Sequence, residues 1–325
     1  MRAAKADPAA SRAEDDVVSS VTQVAAWAAL AVFAGLALLF AELDEPISQA
    51  ARTTDAGWAH VLELYGQLPG VLVGIVGAVI LLRLAVPPRG ARGWFGLLLV
   101  GLLLLLSSLQ VALELGAHAA GQTDVPRALS VGIPVALAAL LVSRWVPVRW
   151  AASVRPAAVV ALALPYVASV ATVWAIKIPW GRWTPRDITA AGDPTLFSPW
   201  YLPQGSNGNY SFISGHTSFA FAVIALVLLF ARTRRAFTAG LALALAWGVV
   251  GAVGRVVLGA HFPSDTLFAA AATVAWVVVL ARMAGYRPPT GASLAPRASR
   301  GGGDLPADTR QGDSVPGPGW GSGSG

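Results

Sequence analysis

The sequence predicts an all-α fold, a polytopic integral membrane bundle of about eight transmembrane helices. Hydrophobic residues make up 55% of the 325 positions, and charged residues only 12%, against about a quarter in soluble domains. The apolar residues are gathered into runs that approach the ~20 residues a helix needs to cross a bilayer. The chain has no cysteine, which excludes disulfides, thiolate metal sites and cysteine nucleophiles.

Eight apolar runs follow one another along the chain. They cover approximately residues 21–41, 68–84, 95–115, 128–146, 156–176, 214–230, 239–258 and 264–280. The fifth run contains Pro165, which a membrane helix tolerates when neighbouring groups satisfy the freed carbonyl. An acidic segment, residues 42–63, follows the first run and is expected to be irregular. Residues 177–213 form a polar and aromatic loop, longer than a simple helix connection and therefore expected to carry function.

These runs divide the chain into three regions. Residues 1–18 are expected to be a short cytoplasmic tail, and residues 19–285 the transmembrane domain. Residues 286–325 are rich in glycine, proline and serine and cannot bury a core, so we expect a disordered cytoplasmic tail.

The arginines predict the orientation in the membrane. They are concentrated after spans two, four, six and eight, and short cytoplasmic loops are enriched in basic residues. Both termini are therefore expected on the cytoplasmic side of a bacterial inner (plasma) membrane, where the arginines meet anionic lipid headgroups. We expect no nucleic-acid partner, and the sequence carries no signal for an oligomeric state.

Three short polar stretches gather rare residues at the edges of apolar runs. They are residues 177–187, 214–216 and 255–265. The chain contains only two lysines and four histidines, yet one lysine and two histidines, Lys177, His216 and His261, fall within these stretches. With the predicted orientation, all three stretches lie on the extracytoplasmic face.

The spacing of these residues resembles that of a known family. Arg255 is followed after five residues by His261 and after three more by Asp265, and a Ser-Gly-His triplet begins at Ser214. This pattern resembles the type 2 phosphatidic acid phosphatase (PAP2) superfamily, in its branch of bacterial membrane lipid phosphatases. The resemblance covers residues 177–280 and implies a PAP2-like catalytic core in the helical bundle.

The first motif of that family departs from the usual pattern here. The family has a lysine, six further residues and then Arg-Pro. In this chain Lys177 is followed at the corresponding place by Thr184 and Pro185, with Arg182 and Arg186 two residues to either side of Thr184. The spacing leaves open which arginine takes the place of the missing one.

Phosphate chemistry accounts for the residue types in the three stretches. A phosphate group needs fixed cations and N–H donors around its oxygens, and the N-terminus of a helix offers both N–H groups and a favourable dipole. The candidate phosphate-binding residues are Lys177, Arg182, Thr184, Arg186, Ser214, Gly215 and Arg255.

The resemblance also implies separate catalytic roles for His261, His216 and Asp265. His261 would attack phosphorus to form a phosphohistidine, and His216 would protonate the departing oxygen. Asp265 lies one helical turn beyond His261 and could hold the proton on the far imidazole nitrogen. No carboxylates or histidines stand at metal-ligand spacing, so we expect metal-independent catalysis without a cofactor.

The expected function is hydrolysis of a lipid phosphate or diphosphate, of the phosphatidate, prenyl diphosphate or phosphatidylglycerophosphate class. Two alternatives remain open at this point: a phosphotransferase on the same scaffold, and a non-catalytic lipid-binding or transport protein. Vanadium haloperoxidases share similar motifs but are soluble, and the eight apolar runs argue against that class.

Overall fold

The computed structural model describes residues 8–85, 88, 90–120 and 125–289 of the chain. Within this part the fold is all-α and contains no strand, as predicted. The α-helices are α1 (Pro8–Ala51), α2 (Gly57–Tyr65), α3 (Leu68–Ala85), α4 (Gly90–Ala120), α5 (Val125–Ser143), α6 (Val148–Leu164), α7 (Val173–Trp180), α8 (Pro185–Ala191), α9 (Gly215–Ala222), α10 (Ile224–Phe230), α11 (Arg234–Val257) and α12 (Pro263–Met283).

The helices confirm a multi-pass membrane protein. In the part of the chain that the structure describes, six helical segments are long and apolar enough to cross a bilayer: Ala26–Ala51, Gly57–Ala85, Gly90–Leu113, Val148–Ala191, Arg234–Val257 and Pro263–Met283. Two shorter apolar helices, Ala128–Ser143 and Gly215–Phe230, correspond to the fourth and sixth predicted spans. Many large apolar side chains on the outside of the bundle are exposed, as expected where lipid tails replace water.

The two ends of the chain lie partly outside the described residues. Helix α1 already begins at Pro8, within the segment predicted as an N-terminal tail, and residues 1–7 are not described. Of the predicted C-terminal tail, residues 290–325 also lie outside the described part.

The acidic segment after the first span is helical, which corrects the prediction that it is irregular. Helix α1 continues through Pro46 to Ala51, and α2 starts again at Gly57. The physical reason lies in Asp44, whose side chain is fully buried and paired with Arg182 instead of facing water. An acidic residue on a helix is stable in such a place because its charge is compensated inside the protein.

A π-helix interrupts the fifth span below the polar loop. It covers Pro165–Thr172, between α6 and α7, and begins at the proline, whose missing N–H breaks the regular backbone bonding. The Thr172 hydroxyl donates to the carbonyl of Val167 at 2.7 Å, and Trp276 Nε1 donates to the same hydroxyl oxygen at 2.9 Å. Such irregular turns are frequent at functional sites, and here the turn carries Ser169, which lines the cavity described below.

Helix α3 packs closely against its neighbours through a face of glycines. A Cβ atom on Gly70 would lie 1.9 Å from the Phe219 carbonyl oxygen in α9, and one on Gly77 would lie 2.5 Å from the Leu162 nitrogen in α6. Small residues permit this close approach, which drives helix association in membranes where the hydrophobic effect is weak. The packing holds α9, which begins at the site, against the N-terminal half of the bundle.

Candidate active site

The three polar stretches converge on one cavity of 460 Å³. Helix α7 ends there, α9 begins there and α11 ends there, and His261 reaches the cavity from just before α12. Helices α2 and α4 and the turn residue Gln67 supply further lining. The charged and histidine residues of the lining are Glu63, Lys177, Arg186, His216, Arg255 and His261, and its uncharged polar side chains are those of Gln67, Gln110 and Ser169.

His261 and Asp265 stand together at the start of α12. His261 is 5% exposed, and its Nδ1 lies 3.5 Å from Asp265 Oδ2. Nδ1 is buried and has no hydrogen-bond partner among the described residues. Because Nδ1 is on the Asp265 side of the ring, Nε2 is the nitrogen available to the cavity.

Asp265 is held from several sides. Its Oδ1 accepts a hydrogen bond from Arg182 Nη1 at 2.6 Å. Its Oδ2 accepts from the Ser211 hydroxyl and, at 2.9 Å, from the backbone N–H of Phe262, which caps the first turn of α12. The carboxylate is therefore fixed in position next to the His261 ring.

The environment of His261 favours the neutral imidazole. Burial lowers the pKa of His261 to about 4; the adjacent Asp265 carboxylate opposes this shift, and the Lys177 charge adds to it. A histidine with this pKa is uncharged at neutral pH and becomes protonated only as the pH falls toward 4. The ring therefore has a free lone pair under ordinary conditions, as a nucleophile needs.

We expect the His261 ring to remain neutral between pH 7 and pH 5, where an ordinary histidine gains its proton. Imidazole nitrogen NMR on histidine-labelled protein in detergent would measure this. The chain has only four histidines, so the His261 signal can be assigned as the one missing from the His261→Gln spectrum. A titration midpoint near the ordinary value would contradict the prediction.

The start of α9 presents main-chain donors to the cavity. Ser214 is the N-cap, and its side-chain oxygen accepts from the Thr217 N–H at 3.3 Å. The first bond of the helix backbone runs from Ser218 N to Ser214 O. The N–H groups of Gly215 and His216 have no partner among the described residues, and both residues line the cavity. Free N–H groups at the start of a helix favour an anion.

Three cationic side chains line the same cavity. They are those of Lys177 in α7, Arg186 in α8 and Arg255 at the end of α11. Arg255 Nε is buried without a hydrogen-bond partner among the described residues, so this donor is available to a ligand. The backbone places Arg186 through a hydrogen bond from its N–H to the carbonyl of Gly259, at 2.8 Å.

Arg182, also predicted as a phosphate ligand, lies elsewhere. Its side chain is fully buried, and the guanidinium donates to Asp44, Ser198, Ser264 and Asp265 at 2.6–2.9 Å. Every nitrogen of the group is thus engaged by protein, and the residue does not line the cavity. The structure gives Arg182 a place behind the site, where it supports Asp265.

Two other predicted ligands serve as helix caps in this structure. The Thr184 oxygen accepts from the Asp187 N–H at the start of α8, and its hydroxyl donates to Asp187 Oδ2 at 2.6 Å. The Ser214 side chain caps α9 and is fully buried. The helix starts that Thr184 and Ser214 cap carry Arg186 and Gly215 to the cavity.

Sequence reasoning missed two carboxylates from the N-terminal half. Asp44 Oδ1 accepts from the Ser264 N–H at 2.9 Å, so a residue of α1 caps the start of α12. Glu63 Oε1 accepts from Arg255 Nη1 at 2.9 Å and from Arg186 Nη1 at 3.4 Å. Both residues belong to the acidic segment. Its charge is the sequence feature that could have marked them as candidates, but nothing in the sequence identifies Ser264, Arg255 and Arg186 as their partners.

One family model matches the chain. It describes the PAP2 superfamily and matches residues 157–289, a stretch that contains all three polar motifs. No curated protein and no solved structure matches the chain. Asp44 and Glu63 lie outside the matched stretch, so they are contributions of the N-terminal half to the site.

Proposed function

From the match of residues 157–289 to the PAP2 superfamily model, we propose that the protein is an integral membrane phosphatase for a lipid phosphate. The reaction proceeds through a phosphohistidine on His261. The observation that carries the proposal is the convergence of Lys177, Arg186 and Arg255 with two histidines and a free helix N-terminus in one cavity.

The cavity suits a phosphoryl group in the transition state. Cations and N–H donors that are already in place stabilise the charge that develops during transfer, without reorganisation. Lys177, Arg186 and Arg255 supply the cations, and Gly215 with His216 supplies the main-chain donors. Because protein groups provide this charge, we propose that the reaction needs no metal ion.

In the first step, the lone pair of His261 Nε2 attacks phosphorus and the bond from phosphorus to the lipid oxygen breaks. His216 donates its proton to that oxygen, and the lipid alcohol departs. Asp265 lies beside Nδ1 of His261 and stabilises the positive charge that the ring acquires.

In the second step, a water molecule attacks phosphorus and transfers a proton to His216, and the bond from nitrogen to phosphorus breaks. Inorganic phosphate leaves, and both histidines return to their starting state. If an alcohol replaces water in this step, the same site acts as a phosphotransferase, and analysis of the products separates the two activities.

The proposed location follows from the charge distribution. Span six consists of α9 and α10, and span seven is α11. The arginines between these spans lie at the opposite end of span six from His216 and at the opposite end of span seven from Arg255. Since basic loops face the cytoplasm, we place the cavity on the extracytoplasmic side of the plasma membrane and both termini inside.

Phosphate release from purified protein in detergent tests the proposed function. With a metal chelator present, we expect inorganic phosphate from at least one lipid phosphate in a panel of phosphatidate, phosphatidylglycerophosphate and prenyl phosphates. Addition of magnesium should leave the rate unchanged. Absence of phosphate release from the whole panel would overturn the proposal.

A further inference from the structure

Glu63 is the one carboxylate among the described residues that line the cavity. It bonds to two of the three cations, Arg255 and Arg186. Its side chain is 25% exposed, so the carboxylate is partly open to the cavity. A phosphate bound by the cations therefore lies beside this fixed negative charge.

The rest of the cavity wall beyond Glu63 is uncharged. Gln67 and Gln110 supply amides, and Ser169 supplies a hydroxyl, among apolar groups such as Leu64, Trp174 and Phe219. Amides can donate hydrogen bonds to a leaving group that carries oxygen atoms, but they cannot neutralise charge. The three cationic side chains of the described lining are those of Lys177, Arg186 and Arg255. The amide and hydroxyl groups of the lining, on Gln67, Gln110 and Ser169, carry no positive charge.

We propose that the protein selects lipid phosphate monoesters over lipid diphosphates, and that Glu63 is the residue that sets this preference. The inference rests on the proposed function and specifies its substrate class. A monoester carries about two negative charges near neutral pH, which the cations and helix terminus receive. A diphosphate places further charge between the Glu63 carboxylate and the amide wall, where like charges repel and where the described lining holds no fourth cation.

Matched prenyl phosphate and prenyl diphosphate of the same chain length test the preference. For the wild-type protein we expect kcat/KM for the monophosphate to exceed that for the diphosphate by about tenfold or more, the effect of one unfavourable charge contact. Glu63→Gln keeps the shape and a hydrogen bond to Arg255 but removes the charge, so the ratio should fall about tenfold. Glu63→Asp retains the charge, and its ratio should remain close to the wild-type value.

Equal or faster turnover of the diphosphate by the wild type would overturn the inference, as would an unchanged ratio in Glu63→Gln. A binding measurement keeps the inference separate from the proposed function. Inorganic phosphate should stabilise the wild-type protein in thermal unfolding at lower concentration than pyrophosphate, and Glu63→Gln should reverse or abolish this order. If neither lipid releases phosphate, the proposed function fails. The relative concentrations at which phosphate and pyrophosphate stabilise the protein would still support or overturn the role of Glu63.

Discussion

Replacing His261 with glutamine is expected to lower kcat by at least about 10³-fold, because glutamine cannot form the covalent phosphoenzyme. Glutamine is similar in size and remains polar, so the buried position next to Asp265 should tolerate it. The measurement is phosphate release from the preferred lipid in detergent, with circular dichroism to check that the helical content is unchanged.

Trapping of the phosphohistidine intermediate tests the role of His261 more directly than the loss of activity does. A lipid labelled in its phosphate should transfer label to the wild-type protein, and the phosphorus–nitrogen bond should survive alkali but not acid. The label should be absent from His261→Gln. Retention of substantial turnover by this variant would rule out every covalent mechanism at this residue.

The His216→Gln variant provides the matched control, since it affects proton donation and leaves the nucleophile intact. General acid catalysis is worth about 10²–10⁴-fold, and a poor leaving group needs it most. We therefore expect a large loss with a lipid alcohol as leaving group and a much smaller loss with p-nitrophenol, which departs without a proton. His261→Gln should lose both activities to a similar extent.

The part of the site that the sequence predicted is the part encoded by local spacing. His261 lies just before α12 and Asp265 on its first turn, and Gly215 and His216 open α9, so the motif alone placed them. The roles of these residues in catalysis remain predictions. The eight apolar runs were also predictable, because their length and composition reflect the thickness of the bilayer.

The parts that could not be predicted depend on distant partners. Asp44 and Arg182 are 138 residues apart, and Glu63 and Arg255 are 192 residues apart. Without knowing which helices pack together, a buried acidic residue on a helix cannot be distinguished from one in a solvent-exposed loop. The composition of the acidic segment therefore predicts irregular structure, although the segment is largely helical and supplies two of the carboxylates that organise the site.

Arg182 is buried and Arg186 lines the cavity. The reason is the local backbone conformation, which the spacing of the two residues does not reveal. Gly181 ends α7 in the left-handed conformation, with φ of 58°, and a Cβ there would lie 1.9 Å from the Gly205 carbonyl oxygen. This turn directs Arg182 into the protein. Helix α8 then begins after Thr184, so Arg186 lies on its first turn and reaches the cavity.

Replacing Arg182 with leucine is expected to destabilise the protein by about 3–5 kcal/mol, the cost of leaving buried charges without their partner. The Arg182 guanidinium bonds to Asp44 Oδ2 at 2.9 Å and to Asp265 Oδ1 at 2.6 Å, and all three side chains are fully buried. The measurement is the free energy of unfolding in mixed detergent micelles. Activity should fall as well, because Asp265 loses the group that fixes it beside His261.

Arg186→Leu is the matched control, since Arg186 is a neighbouring arginine whose side chain is 49% exposed. We expect its stability to remain near wild type while KM for the lipid phosphate rises. The double variant Arg182→Leu with Asp44→Leu should recover part of the lost stability, because one of the two unpaired carboxylates is then removed. If Arg182 instead bound phosphate, Arg182→Leu would raise KM at unchanged stability, and the second substitution would restore nothing.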